Sequence, residues 1–184
     1  MMNVPDIPKI NEGIARKFRK IEARFALRRS AVELFEALLA DIQTEFSIPF
    51  VWLSLIRIPE MTGLQKSLEA SPLLHDRLNI IENASFLEVV PDSATPLLVS
   101  GDLRPFFRLL PSNRKYFIRS LAVSPLTLHG RLIGSLNQGH SSPERYHPGM
   151  DTTLLMHLAQ SVSDRLSHLL PSEEQSRHPV PAER

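Results

Sequence analysis

The sequence predicts an α+β fold in which helices pack against an antiparallel β-sheet. Two amphipathic helical stripes open the chain, two strand-like runs meet at His129-Gly130, and one more amphipathic helix closes it. Strands and helices do not alternate strictly and hairpin pairing dominates, which points to the α+β class.

From Lys9 to Arg29 the residues Ile10, Ile14, Phe18, Ile21 and Phe25 recur every three or four positions, one stripe along a helix. Its other faces carry Arg16, Lys17, Arg19, Lys20, Arg24, Arg28 and Arg29 against only Glu12 and Glu22. Ser30-Ala31-Val32-Glu33 is a capping box, with the Ser30 hydroxyl aimed at the Glu33 amide and the Glu33 carboxylate at the Ser30 amide. The second helix, striped by Leu34, Leu38, Ile42 and Phe46, ends before Pro49, because a residue preceding proline is disfavoured in the α region.

Phe50–Ile56 is aromatic, β-branched and bounded by prolines, and reads as a strand. Between Glu60 and Lys115 short helices are expected near Leu64–Ala70, Pro72–Leu78, Phe86–Val89 and Leu103–Leu110, with Thr95–Val99 as an edge strand because Pro96 has no amide to donate. Tyr116–Leu128 and Arg131–Gln138 are strands joined at His129-Gly130, where the glycine supplies a positive φ. After a loop from Gly139 to Met150, Asp151 caps a last helix striped by Leu154, Leu155, Leu158, Val162, Leu166 and Leu169. The expected division is a helical arm over 1–29, one domain over 30–170 and a disordered tail over 171–184.

The 184 residues suit one domain with some length left over. With 42% hydrophobic and 22% charged residues the chain can bury a core. Basic residues number 21 and acids 20, a balance that gives no electrostatic case for nucleic acid. Cysteine is absent, which excludes disulfides, thiolate metal sites and a cysteine nucleophile. The start has no secretory-leader pattern and no apolar run reaches the ~20 residues of a membrane span, so a cytoplasmic protein without membrane contact is expected.

Ser120–Leu126, Gly130 and Leu132-Ile133-Gly134-Ser135-Leu136 resemble the paired strands of a GAF domain. Ser100-Gly101-Asp102-Leu103, Gly134–His140 and above all Pro143–Met150 are similar to one bacterial subgroup of GAF-like proteins, the domain-of-unknown-function family four-eighty-four. The resemblance runs from about Ile10 to Leu169. It implies a twisted antiparallel sheet with the first and last helices on one face and short helices and loops covering the other. It also implies a sensory or regulatory module, since relatives bind cyclic nucleotides, bilins, haem or amino acids under that cover, or serve as dimer modules. The cysteines on which bilin attachment and GAF sulfoxide reduction depend are missing here, and Asn137-Gln138, Tyr146 and Asp151 echo the cyclic-nucleotide pattern only faintly.

Strand alternation separates Val51, Leu53 and Leu55, an apolar face suited to helices, from Phe50, Trp52, Ser54 and Ile56. Bulky walls with a few hydroxyl and amide groups are the usual composition of a small-molecule pocket. On that ground Trp52, Ser54, Ala122, Ser124, Ser135 and Asn137 are expected to line one cavity beneath the 60–115 segment. The alternative is that these groups bond to loop backbone and leave no cavity. Ile14, Phe18, Ile21 and Phe25 are expected to form a homodimer seam with a second copy. His129, His140 and His147 match no metal-ligand spacing, and no phosphate loop, HExxH or nucleophile elbow occurs. No catalytic residue, metal or cofactor is therefore assigned. The function expected is a ligand-sensing, non-enzymatic dimer module, with a ligand-free scaffold or an unrecognised hydrolase as alternatives.

Overall fold

The computed structural model describes residues 6–90, 95–111 and 117–171. Almost all of the expected 171–184 tail lies outside that range. The amphipathic opening forms helices α1 (Asp6–Phe25) and α2 (Ala31–Phe46). Ser30 caps α2 by accepting from the Glu33 amide at 3.2 Å, while the Glu33 carboxylate accepts from Arg29 N at 3.3 Å rather than from Ser30. Ser47, left-handed with φ 52°, stops the helix two residues before Pro49.

Strand β1 (Phe50–Ile56) follows, then α3 (Thr62–Glu69), β2 (Leu78–Ile81), α4 (Asn83–Val89), β3 (Leu97–Ser100) and a 3-10 helix over Arg104–Leu109. The hairpin β4 (Ser120–Leu128) and β5 (Arg131–His140) leads to the last helix, α5 (Thr153–Leu169). The five strands form one sheet in the order β2-β1-β5-β4-β3. Every pairing is antiparallel except β1 with β2, so the sheet is mixed rather than purely antiparallel. The segment expected to be helical up to Leu78 holds only a 3-10 turn, and Leu78–Ile81 then returns alongside β1 after a crossover containing α3. A long crossover is what a parallel pair demands.

At the hairpin both turn residues have positive φ, 49° at His129 and 78° at Gly130, the signature of a two-residue I′ turn whose twist matches its strands. His129 holds this strained conformation through two contacts, one with α5 and one with the residue that follows it. Its amide donates to Ser167 Oγ at 3.0 Å, and its ring Nε2 lies 2.5 Å from the Leu170 carbonyl. Between Leu126 and Thr127 the register shifts, Leu126 facing Gly134 and Thr127 facing Leu132, so Ile133 is the extra residue of a bulge. Gly134 (φ 155°) lies beside it, where a Cβ would come 2.1 Å from the Ser54 carbonyl oxygen.

Helices cover one face of the sheet. α2 packs on β1 and α5 on β4, and α1 lies against both helices. Phe18 (8% exposed), Ile21 (0%) and Phe25 (2%) are thereby buried inside a single chain, and Ile14 packs partly against the same core. The stripe read as a dimer seam is therefore taken up within the molecule. The reason is that Leu34, Leu38 and Ile42 of α2 and Leu158, Val162 and Leu166 of α5 offer apolar stripes at hand in the same chain. Lys20 pairs with Glu45 at 2.8 Å and Arg24 with Asp41 at 3.0 Å, so part of the basic face of α1 is spent on α2.

Two substitutions test this packing. Gly134→Ala forces a side chain into the β1 backbone and is expected to lower unfolding free energy by on the order of 3 kcal/mol or more, read by urea denaturation. The Ser124 hydroxyl is buried without a hydrogen-bond partner among the described residues; Ser124→Ala removes that orphan and is expected to raise stability by about 1 kcal/mol in the same assay.

Candidate functional site

Residues directly opposed across neighbouring strands share a face of the sheet. Trp52 faces Asn137, which faces Val123, and Ser54 faces Ser135, which faces Pro125. Trp52, Ser54, Ser135 and Asn137 therefore stand together on the face away from α2 and α5. Ala122 pairs with Gln138 and Ser124 with Leu136, while Gln138 and Leu136 pair with Val51 and Leu53. Ala122 and Ser124 thus lie on the helix-covered face, and the six-residue grouping is corrected to four. Alternation within β4 separates its residues into two sets, but only the inter-strand register decides which set joins Trp52.

The four remaining residues are fully or almost fully buried and form one hydrogen-bonded chain. Ser135 Oγ donates to Asn137 Oδ1 at 2.8 Å, and Asn137 Nδ2 donates to Ser54 Oγ at 2.9 Å. Ser54 Oγ then donates to the carbonyl of Leu109 at 3.0 Å, and Trp52 Nε1 donates to that same oxygen at 2.6 Å. Asn79, absent from the sequence-based grouping, joins from β2. Its Nδ2 donates to the Arg108 carbonyl at 2.6 Å and sits 3.5 Å from Ser54 Oγ. Its place could not be read because β2 itself was not. Gly139 makes room for the indole, since a Cβ there would meet the Trp52 ring at 3.1 Å and Ile118 at 3.0 Å.

The face is thus closed by the chain itself. The 3-10 helix over Arg104–Leu109 lies across it, and both lone pairs of the Leu109 carbonyl are taken. This is the arrangement in which small polar groups bond to loop backbone. Trp52, Ser54, Asn79, Ser135 and Asn137 carry no group that titrates near neutrality, and no imidazole or carboxylate enters the network. Such a set recognises acceptors and donors; it supplies no acid, base or activated nucleophile.

On the opposite face the 140–150 loop is pinned to the sheet. Ser120 Oγ donates to the Ser142 carbonyl at 2.7 Å and accepts from the Tyr146 amide at 3.3 Å. The Tyr146 hydroxyl donates to Gln138 Oε1 at 2.8 Å, so its hydrogen bonds run to the sheet rather than to the first turn of α5. Asp151 Oδ1 accepts from the amide and hydroxyl of Thr153 at 2.9 and 2.6 Å, which fixes the start of that helix. His140 Nδ1 accepts from Ser142 N at 2.9 Å, and His147 Nδ1 lies 3.2 Å from the Pro148 carbonyl.

A model of the GAF domain family matches residues 27–167. No curated protein matches the sequence. Among solved structures the chain is similar to free methionine-R-sulfoxide reductase from Neisseria meningitidis, at 20% identity and a TM-score of 0.57 over 82% of this chain and 87% of that one. The GAF domain of an Acinetobacter phosphoenolpyruvate-protein phosphotransferase is 10% identical with a TM-score of 0.55, covering 97% and 99% of the two chains. A phycocyanobilin-bound GAF domain from a cyanobacterial phytochrome is 17% identical with a TM-score of 0.50, covering 89% and 97%. At these identities the solved structures establish the fold.

Burial pushes the Tyr146 hydroxyl well above its ordinary value of 10.0. The folded state therefore keeps this proton at pH values where the unfolded chain releases it. The stability it contributes is complete below about pH 10 and is lost as pH rises toward the folded value. Unfolding free energy is expected to fall with pH above about 10, and Tyr146→Phe is expected to flatten that slope in denaturation curves taken at pH 8 to 11.

Proposed function

The chain belongs to the GAF domain family, and on that premise we propose that it is a regulatory module that reads a small molecule by exchanging it for its own lid. The observation that carries this reading is the Leu109 carbonyl, which accepts from both Trp52 and Ser54. A ligand that enters this face must present an acceptor oxygen in its place, as a carboxylate, amide or lactam carbonyl does. Asn79 offers a further donor once the Arg108 carbonyl moves with the lid. The closed and ligand-bound arrangements then differ in where Arg104–Leu109 lies, and the ligand shifts the balance by binding one of them better. The solved GAF domain of the cyanobacterial phytochrome holds phycocyanobilin and the Neisseria reductase was solved with its substrate, which supports small-molecule recognition as the reading for this fold.

The module is read as non-enzymatic, because the network holds no titrating group and the chain has no cysteine. Among the described residues no helix is long and apolar enough to cross a membrane, and no group of three or more acids and histidines could hold a metal ion. Cytoplasmic action as a homodimer remains part of the proposal, with any contact between copies made outside the buried α1 stripe. The second reading is a ligand-free scaffold, favoured by the complete satisfaction of the lid seam.

Trp52 is the single tryptophan and reports directly on the lid. Titration with a library of small carboxylates and lactams is expected to yield compounds that shift Trp52 emission and raise the melting temperature. Native mass spectrometry reads copy number and retained ligand together. Trp52→Phe and Ser54→Ala each delete one donor and are expected to weaken such a compound about tenfold, the worth of ~1.4 kcal/mol. A library in which no acceptor-bearing compound moves either signal gives the molecule to the scaffold reading.

A further inference from the structure

A cavity of about 690 Å³ lies on the helix-covered face, between α1, the end of α2, the start of α5 and the 145–151 loop. Its size falls in the range that takes a small organic ligand. Phe18 and Phe46, whose ring centroids are 4.8 Å apart, form apolar wall with Leu98, Leu154 and Leu155. Gln138 is the polar group that the sheet itself contributes to the lining. It is 4% exposed, and its Oε1 accepts from the Tyr146 hydroxyl at 2.8 Å, which turns the side-chain amide toward the lining.

Two cations border the same space, each laid over an aromatic wall. Lys17 Nζ is 5.7 Å from the centre of the Phe46 ring, and the Arg145 guanidinium is 5.3 Å from that of Tyr146. Neither forms a salt bridge with an acid among the described residues, although Lys17 lies near enough to Glu45 to help hold its carboxyl low. The two acids of the lining are already engaged. Glu45 is held by Lys20 at 2.8 Å, which keeps its carboxyl below the usual range, and Asp151 is bound by Thr153. Positive charge, a side-chain amide and apolar walls therefore meet in one place.

We propose that this cavity is a binding site for an apolar monocarboxylate, with its hydrocarbon or aryl body against Phe18, Phe46 and Leu154 and its carboxylate drawn by Lys17, Arg145 and the Gln138 amide. The site is separate from the lid face, since Gln138 and Trp52 lie on opposite sides of the sheet, and it stands whether or not the lid opens. Its occupant touches α1, α2 and α5 together, so it bears on how the three helices pack.

Calorimetric titration of the full chain with 4-phenylbutyrate and with 4-phenylbutanol separates charge from apolar body. The acid is expected to bind at least tenfold more tightly than the alcohol, and the difference is expected to shrink as salt rises. The double variant Lys17→Gln, Arg145→Gln changes one exposed and one half-buried side chain, neither in a salt bridge, and is expected to keep the melting temperature while losing tenfold or more in affinity for the acid. Binding is expected to persist in Trp52→Phe, which assigns it to this face. Equal affinity for acid and alcohol, unchanged binding by the double variant, or no heat for either compound each overturns the site.

Discussion

The carbonyl oxygen of Leu109 receives two buried donors, and the cover over one face of the sheet is anchored at that atom. Trp52 and Ser54 approach it from β1, and behind Ser54 stand Asn137 and Ser135 of β5. Buried polar groups are costly unless each finds a partner. Four of them in a row make this face a hydrogen-bonded seam in which each bond supports the next. The lid can leave only if something else, water or a ligand oxygen, takes its part. The same seam that closes the face therefore defines the chemistry of whatever could replace the lid.

The seam depends in turn on a fixed register. Trp52 meets Asn137 and Ser54 meets Ser135 because β1 and β5 pair without a slip along Phe50–Leu55. Gly134 permits the close approach that brings them together, and the neighbouring bulge at Ile133 absorbs the change of step before the turn. At the far end of β5, Gly139 leaves the space that the indole fills. The two glycines stand five positions apart in β5 and serve different neighbours: one admits backbone, the other a ring.

The sequence showed its local structure well and its long-range structure poorly. β1, the hairpin and the helices α1, α2 and α5 were legible because their signals are periodic or confined to a few neighbouring residues, such as Ser30 with Glu33 or His129 with Gly130. β2 was not, because four residues after a leucine-rich stretch carry too little pattern to distinguish strand from helix. Four of the six residues grouped as a pocket do stand together. Ala122 and Ser124 were joined to them on chemical character, and a face cannot be assigned from character when a shift of one residue reverses it. The bond from Trp52 to Leu109 spans 57 positions, and nothing in either local sequence announces it. The α1 stripe was legible as apolar, but its partner was not, since a stripe looks the same whether it meets a second copy or its own chain.

The borders of the sheet have a consequence of their own. β2 and β3 are its outermost strands, and each is only four residues long. Pro96 stands immediately before β3, and a proline at such a place offers no amide to an incoming strand. Little open backbone is left on either flank to template the addition of another chain. Growth by strand addition, the usual route from a sheet protein to fibrils, has poor footing here, and crowding many copies together leaves these edges nearly inert.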